Sequence, residues 1–153
     1  EKRGLNKSLK QKYSISWGDL IHEIMAGVNT ASDIEAMLNK LNIITTHGIK
    51  TFNRIKKEIE KIINDPQVAH LFRSDLDVFS EYSILNIDGS VYRPDRVIVH
   101  TEQEASLIDY KTGREETRHK DQMKKYEEIL LNMGYKKINK YLIYLTTGDI
   151  YKL

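Results

Sequence analysis

The spacing of apolar residues changes period at Pro66, and that change limits the folds open to the chain. Before it, apolar residues recur every three or four positions; after it, they alternate or gather in short runs. Ser16-Trp17-Gly18-Asp19 has the form of a capping box, and Leu20, Ile21, Ile24, Met25 and Val28 follow at helical spacing. A second start over 32–35 leads into Met37, Leu38 and Leu41, and residues 47–63 repeat Ile49, Phe52, Ile55, Ile59 and Ile62. Beyond Pro66, Val78, Tyr82, Ile84 and Ile87 favour strand, Asp88-Gly89 reads as a two-residue hairpin turn, and 91–99 continue as a strand. The polar stretch 101–104 turns the chain into the apolar run 105–108, completing a three-strand meander. A helix over about 116–133 ends at Gly134, a strand occupies 140–145, and Thr147-Gly148-Asp149 turns into a short terminal strand. This succession predicts an α/β fold with a mixed central sheet flanked by helices and an N-terminal helical section.

A length of 153 residues, with 40% hydrophobic and 30% charged, suits one domain able to bury a core. The net charge of +2 is too mild to mark a nucleic-acid binder, so any phosphate-binding surface must be local. The absence of cysteine excludes disulfides, thiol nucleophiles, zinc–thiolate sites and iron–sulfur clusters. No apolar run is long enough to span a bilayer, which predicts no membrane partner. There is no internal repeat or low-complexity stretch to divide the chain.

Chemistry concentrates in three places: Arg93-Pro94-Asp95-Arg96, Asp109-Tyr110-Lys111-Thr112-Gly113, and Gln122 with Tyr126. In a strand, Asp109 and Lys111 share one face while Tyr110 takes the other. A turn centred on 101–104 brings Asp95 opposite Asp109. Two carboxylates ~4 Å apart repel by ~4 kcal/mol at an effective dielectric of ~20, so such a pair shares a proton or a cation. Oxygen ligands favour Mg²⁺ or Mn²⁺. The plainer reading makes Asp95 a turn residue after Pro94 and Asp109 a salt-bridge partner of Lys111. Counting Asp95 and Glu81 leaves a negative surplus over one lysine, which favours a metal.

Register separates Glu81 from this pair. A two-residue turn at Asp88-Gly89 sets Tyr82 opposite Asp95 and Glu81 opposite Arg96, on the other face, unless a bulge near Pro94 corrects the ladder. Glu81 otherwise compensates Arg93 or Arg96. His22 stands among apolar residues of the first helix, where a lone histidine is more often structural than a ligand. His119, Gln122 and Tyr126 form one stripe of the later helix, a pattern that is usually solvated and here could face the acidic pocket. Lys120, Lys124, Lys125, Lys136, Lys137 and Lys140 could follow a phosphate backbone or keep the domain soluble.

Taken in order, Gly18-x-x-x-His22, Glu81, Asp88-Gly89, Arg93-Pro94-Asp95-Arg96, Asp109-Tyr110-Lys111-Thr112-Gly113, His119-x-x-Gln122-x-x-x-Tyr126 and Tyr141-Leu142-Ile143-Tyr144-Leu145 resemble the RecB-like branch of the PD-(D/E)XK nucleases. The likeness is greatest to the nuclease domain at the C-terminus of RecB/AddA-type helicase–nucleases of the UvrD/Rep superfamily. It implies a restriction-endonuclease-like αβββαβ core and a single domain over 1–153, mainly helical over 1–72, with the catalytic sheet and helix over 73–153. It further implies that the domain is excised from the C-terminus of a larger helicase–nuclease.

The resemblance implies a Mg²⁺-dependent deoxyribonuclease, of exonuclease type, acting in double-strand-break repair and recombination; Mn²⁺ would substitute. By resemblance, His22, Asp95, Asp109 and the Tyr110 main-chain carbonyl hold the metal and Lys111 is the catalytic lysine. Gln122 and Tyr126 match the family's helix motif, and Glu81 its acidic position upstream of the hairpin. An ammonium is a poor base at neutral pH, so charge stabilisation is the default role for Lys111. Arg93, Arg96, Thr112, His119 and Lys120 are expected on the DNA. The expected partners are DNA, single-stranded or at duplex ends, the helicase domain of the parent chain and a second helicase–nuclease subunit. The expected location is cytoplasmic, with bacterial nucleoid-associated repair machinery. Related members carry an iron–sulfur cluster; with no cysteine, this chain has no ligands for one. The alternatives are an inactive PD-(D/E)XK binding or interaction module, and a stand-alone phage or CRISPR-associated nuclease.

Overall fold

A computed structural model describes residues 16–153. Helix α1, Trp17–Ala26, begins where the capping box places it, with Ser16 Oγ accepting from the Asp19 amide at 3.1 Å. Helices α2 (Asp33–Lys40), α3 (Ile43–His47) and α4 (Ile49–Ile63) follow. The sequence periodicity does not foresee α3, a single turn lacking a full amphipathic repeat. Its N-cap Asn42 takes a left-handed φ of 53°, a conformation asparagine tolerates better than most residues.

Five strands make one sheet: β1 (Asp77–Ser80), β4 (Arg96–Val99), β5 (Glu104–Lys111), β6 (Lys137–Tyr144) and β7 (Asp149–Lys152), in that spatial order. Only β5 and β6 run parallel, joined by helix α5 (Thr117–Asn132). The expected meander is present in β1, β4 and β5, and the sheet is mixed, as the sequence implies. The expected strand 91–99 is interrupted. Its outer part, β3 (Val91–Tyr92), pairs with β2 (Ile84–Leu85) in a separate two-stranded ribbon. The break falls at Arg93-Pro94-Asp95, where proline has no N–H for the ladder.

The hairpin tip corrects the predicted register by one residue. Asn86 N–H bonds Ser90 O at 2.8 Å and Gly89 N–H bonds Asn86 O at 3.0 Å, so the loop holds residues 87–89. Gly89 supplies the positive φ, 83°, that such a three-residue loop requires. Consequently Ser80, not Glu81, faces Arg96.

Side-chain alternation along β5 divides the core between the two sheet faces. Ile108 and Tyr110 pack with Ile98, Tyr141 and Ile143 against the N-terminal helices, while Ala105 and Leu107 pack with Val97, Leu142 and Tyr144 against Met123, Tyr126 and Leu130 of α5. Each of these fully buried aliphatic side chains contributes roughly 1.5–3 kcal/mol of transfer free energy. The buried run of β5 belongs to a central strand covered on both faces. Asp109 and Lys111 extend the face that meets α5. No described helix is long and apolar enough to cross a membrane.

Candidate active site

The carboxyl end of β5 is where the polar residues meet. Ligands in open α/β sheets commonly bind outside the carboxyl ends of parallel strands, because the chain turns away there and leaves a crevice. Here the last β4–β5 pair is Arg96 with Ile108, and the next residues out are Asp95 and Asp109. Because Pro94 ends the ladder, the Tyr110 N–H finds its acceptor in a side chain, Asp95 Oδ2, at 2.7 Å. That bond fixes one carboxylate beside the strand that carries the other.

Asp109 is 2% exposed. Its Oδ2 lies 2.5 Å from Lys111 Nζ as an ion pair, yet the contact is not aligned as a hydrogen bond, and the oxygen has no hydrogen-bond partner. Burial, with the neighbouring Asp95 charge, pushes the Asp109 carboxyl up to about 6 despite the opposing pull of Lys111. On the other side of Asp95, His22 Nδ1 stands 3.6 Å from Oδ1. The Asp95 carboxylate beside it, an acceptor for the imidazole, raises His22 above its ordinary range, with burial opposing. His22 is therefore at the site rather than inside the core.

Lys111 is held by a chain of hydrogen bonds into α5. Its Nζ donates to Gln122 Oε1 at 2.7 Å, Gln122 Nε2 donates to the Tyr126 hydroxyl at 2.9 Å, and that hydroxyl donates to Arg93 O at 3.4 Å. Burial pushes the Tyr126 phenol up to about 12, so it stays a donor at neutral pH. The helix spacing of four between Gln122 and Tyr126 makes the middle link possible. A cleft of about 600 Å³ opens over these groups, lined by His22, Lys111, Thr112, Arg118, His119 and Gln122.

Of the other expected site residues, Thr112 and His119 line the cleft and the rest lie elsewhere. Arg96, expected on DNA, has no exposed surface; it donates to Val28 O, Asn29 Oδ1 and Leu71 O and stacks on Phe72. A guanidinium this buried joins helix ends and cannot reach a phosphate. Glu81 lies opposite Asp95 in register, its N–H bonding Asp95 O at 2.8 Å, but a left-handed φ of 50° accompanies a carboxylate placed on Arg93 at 3.0 Å. Glu81 and Arg93 thus compensate each other, and Arg93 also donates to Glu81 O. His119, expected near the mouth, lines the cleft but is largely buried, with Nδ1 2.8 Å from the Tyr144 hydroxyl, and burial lowers its pKa. Lys120, Lys137 and Lys140 pair with Glu115, Glu104 and Glu127. Thr112 lines the cleft, and its carbonyl accepts from Thr146 Oγ1.

Sequence reasoning missed Trp17 and Arg54 beside the cleft and Arg118 within it. For Trp17 the signal was its place in the capping box; Arg54 and Arg118 gave none.

Among the described residues, no three of His, Cys, Asp and Glu converge as a ready-made metal cage. The chemistry of the donors nonetheless fits a hard divalent cation: two adjacent carboxylates, a buried carboxylate oxygen without a hydrogen-bond partner, and one imidazole.

No family model matches the chain. No curated protein matches it. A solved structure described as "Crystal structure of SSO0001" is similar at a TM-score of 0.36 and 16% identity, covering 97% of this chain and 74% of that one. A likeness at that level carries no argument about the chemistry.

Proposed function

We propose that the chain is a metal-dependent nuclease that hydrolyses DNA phosphodiester bonds on a PD-(D/E)XK-type core. The observation that carries this reading is the buried Asp109, beside Asp95 and paired with Lys111, which itself lines an open cleft. A structural salt bridge gains nothing from a second carboxylate that raises its acid, whereas a site for cation and phosphate needs that surplus.

Asp95 and Asp109 would hold the cation, with His22 and the Tyr110 carbonyl as further ligands. When bound, a divalent cation supplies a Lewis acid that acidifies water and offsets charge on the phosphate oxygens. Lys111 places an ammonium against the negative charge that builds during displacement. Gln122 limits that ammonium to one direction, and Tyr126 holds Gln122 by accepting from its amide. His22 stands 3.6 Å from the outer oxygen of Asp95, on the same side as the carboxylates that would share the cation with it. Thr112 and Arg118 border the path a strand would take.

The resemblance extends the proposal to an exonuclease domain of a cytoplasmic helicase–nuclease in DNA repair. The Lys111–Asp109 ion pair also supports a second reading, a binding module in which the pair is closed and no cation enters. Cleavage of single- and double-stranded DNA with Mg²⁺, Mn²⁺ or EDTA separates them, using Asp109→Ala and Lys111→Ala proteins shown to fold. Metal-dependent cutting abolished by both substitutions is the expected result. Absence of both cutting and Mn²⁺ binding would leave the binding module.

A further inference from the structure

Trp17 is the chain's single tryptophan, and 41% of it is exposed at the first turn of α1. A large indole left open gives up burial that would otherwise stabilise the fold. It lies five residues from His22, about 7.5 Å along the helix axis. The Arg54 guanidinium of α4 sits 5.1 Å from its ring centroid, a cation–π contact that steadies the indole without enclosing it. Arg54 is only loosely compensated: its nearest carboxylate, Glu58, is 4.0 Å away and both side chains are more than half exposed. Beside the pair opens a depression of about 210 Å³ walled by Ile21, Ile55 and Thr112. Thr112 also lines the larger cleft that holds Lys111 and Gln122, so the two depressions adjoin.

We propose that Trp17, steadied by Arg54, is a stacking platform for an unpaired base next to the phosphodiester held at Asp109 and Lys111, which makes single-stranded DNA the substrate. The inference rests on the nuclease reading and adds the form of strand that the site takes. An indole offers a flat π face that any base can cover, while a base inside a duplex already has both faces stacked. The isoleucines beneath are almost fully buried, so the open apolar surface here is the indole itself. Arg54 supplies positive charge for the backbone that accompanies the base.

Because Trp17 is the sole tryptophan, its emission reports this place alone. In buffer with Ca²⁺ and neither Mg²⁺ nor Mn²⁺, the 153-residue chain is titrated with short oligothymidylate, an abasic strand of equal length, and blunt duplex. Tryptophan emission is read on unlabelled strands and anisotropy on labelled ones. Oligothymidylate should quench the emission and the other two should not. Trp17→Ala should weaken oligothymidylate binding by at least roughly fivefold and leave the abasic strand unaffected, with Trp17→Phe retaining most of the affinity. Equal quenching by the abasic strand, or binding of oligothymidylate with no change in emission, would overturn the platform while leaving the nuclease reading intact. If anisotropy shows no DNA binding at all, both fail together.

Discussion

Lys111 Nζ, on β5, donates to Gln122 Oε1, on α5, at 2.7 Å, so the one ammonium of the acidic pocket is aimed by a helix residue rather than by its own strand. The Lys111 side chain could otherwise lie wholly along Asp109. Gln122→Leu should therefore lower cleavage roughly 10- to 100-fold by misplacing the lysine, with little change in melting temperature. Gln122→Glu keeps the acceptor and should recover part of the rate, and Tyr126→Phe, one bond further away, should cost less. Steady-state cleavage by the three proteins checks the order. Equal losses in all three would point to packing instead of aim.

The stability that Asp109 contributes should fall as pH rises across the acid range. The folded Asp109 carboxyl titrates at about 6 against roughly 4 when unfolded, so the folded state holds this proton more tightly. Its contribution is complete below about 4 and is lost as pH climbs through about 6, a loss on the order of 2 kcal/mol for a group with 2% exposure. His22 acts in the same direction at higher pH, since its raised pKa is also a folded-state gain lost on deprotonation. Asp109→Asn should flatten the profile and be the more stable protein at neutral pH. Denaturant unfolding at stepped pH measures this, and a wild-type profile that parallels that of Asp109→Asn between 4 and 7 would refute it.

A divalent cation should supply what deprotonation takes away. At neutral pH, Mn²⁺ or Mg²⁺ at about 100 times its dissociation constant would add about 2.7 kcal/mol to the folded state and raise the melting temperature, reversibly with EDTA. The shift should vanish in Asp109→Ala and shrink in His22→Ala. An undiminished shift in Asp109→Ala would place the ion elsewhere.

The sequence made the central part of this arrangement readable because strand alternation and hairpin pairing are local rules. Asp109 and Lys111 on one face, Asp95 across from Asp109, and Gln122 four residues before Tyr126 all follow from periods of two and 3.6. The register at Glu81 failed because a two-residue and a three-residue loop both suit Asp88-Gly89, and one residue changes every pairing beyond it. Arg96 failed for another reason. Its neighbours Val28, Asn29 and Leu71 come from distant segments, and no local pattern says that three such acceptors will surround one guanidinium. His119 does line the cleft, but its burial is decided by Tyr144, 25 residues away.

Gly18 is where α1 meets the turn after β5. A Cβ there would lie 2.8 Å from Thr112 Oγ1, closer than packing allows. Gly18→Ala gains up to about 1 kcal/mol of helix propensity, and the contact with Thr112 should consume it. In a Thr112→Ala background the hydroxyl is gone and the gain should appear. A double-mutant cycle should therefore show coupling of at least roughly 0.5 kcal/mol. Additive effects would mean that Thr112 simply rotates away.

Arg96 should behave as a core residue despite its charge. Arg96→Ala leaves the Val28 and Leu71 carbonyls without donors and opens space beneath Phe72, a loss on the order of 3 kcal/mol or more. Arg96→Lys keeps one charge but cannot span the acceptors with a planar fork, so it should fall between. Arg93→Ala removes an exposed pair with Glu81 and a solvent-accessible bond to the Glu81 carbonyl, and should cost about 1 kcal/mol. DNA affinity tells the same two arginines apart. A folded Arg96→Met protein should bind DNA with the wild-type dependence on salt, because a buried guanidinium displaces no counterion from the phosphates. A lower salt slope in Arg96→Met without loss of stability would put that side chain on the surface and undo its placement between the helix ends.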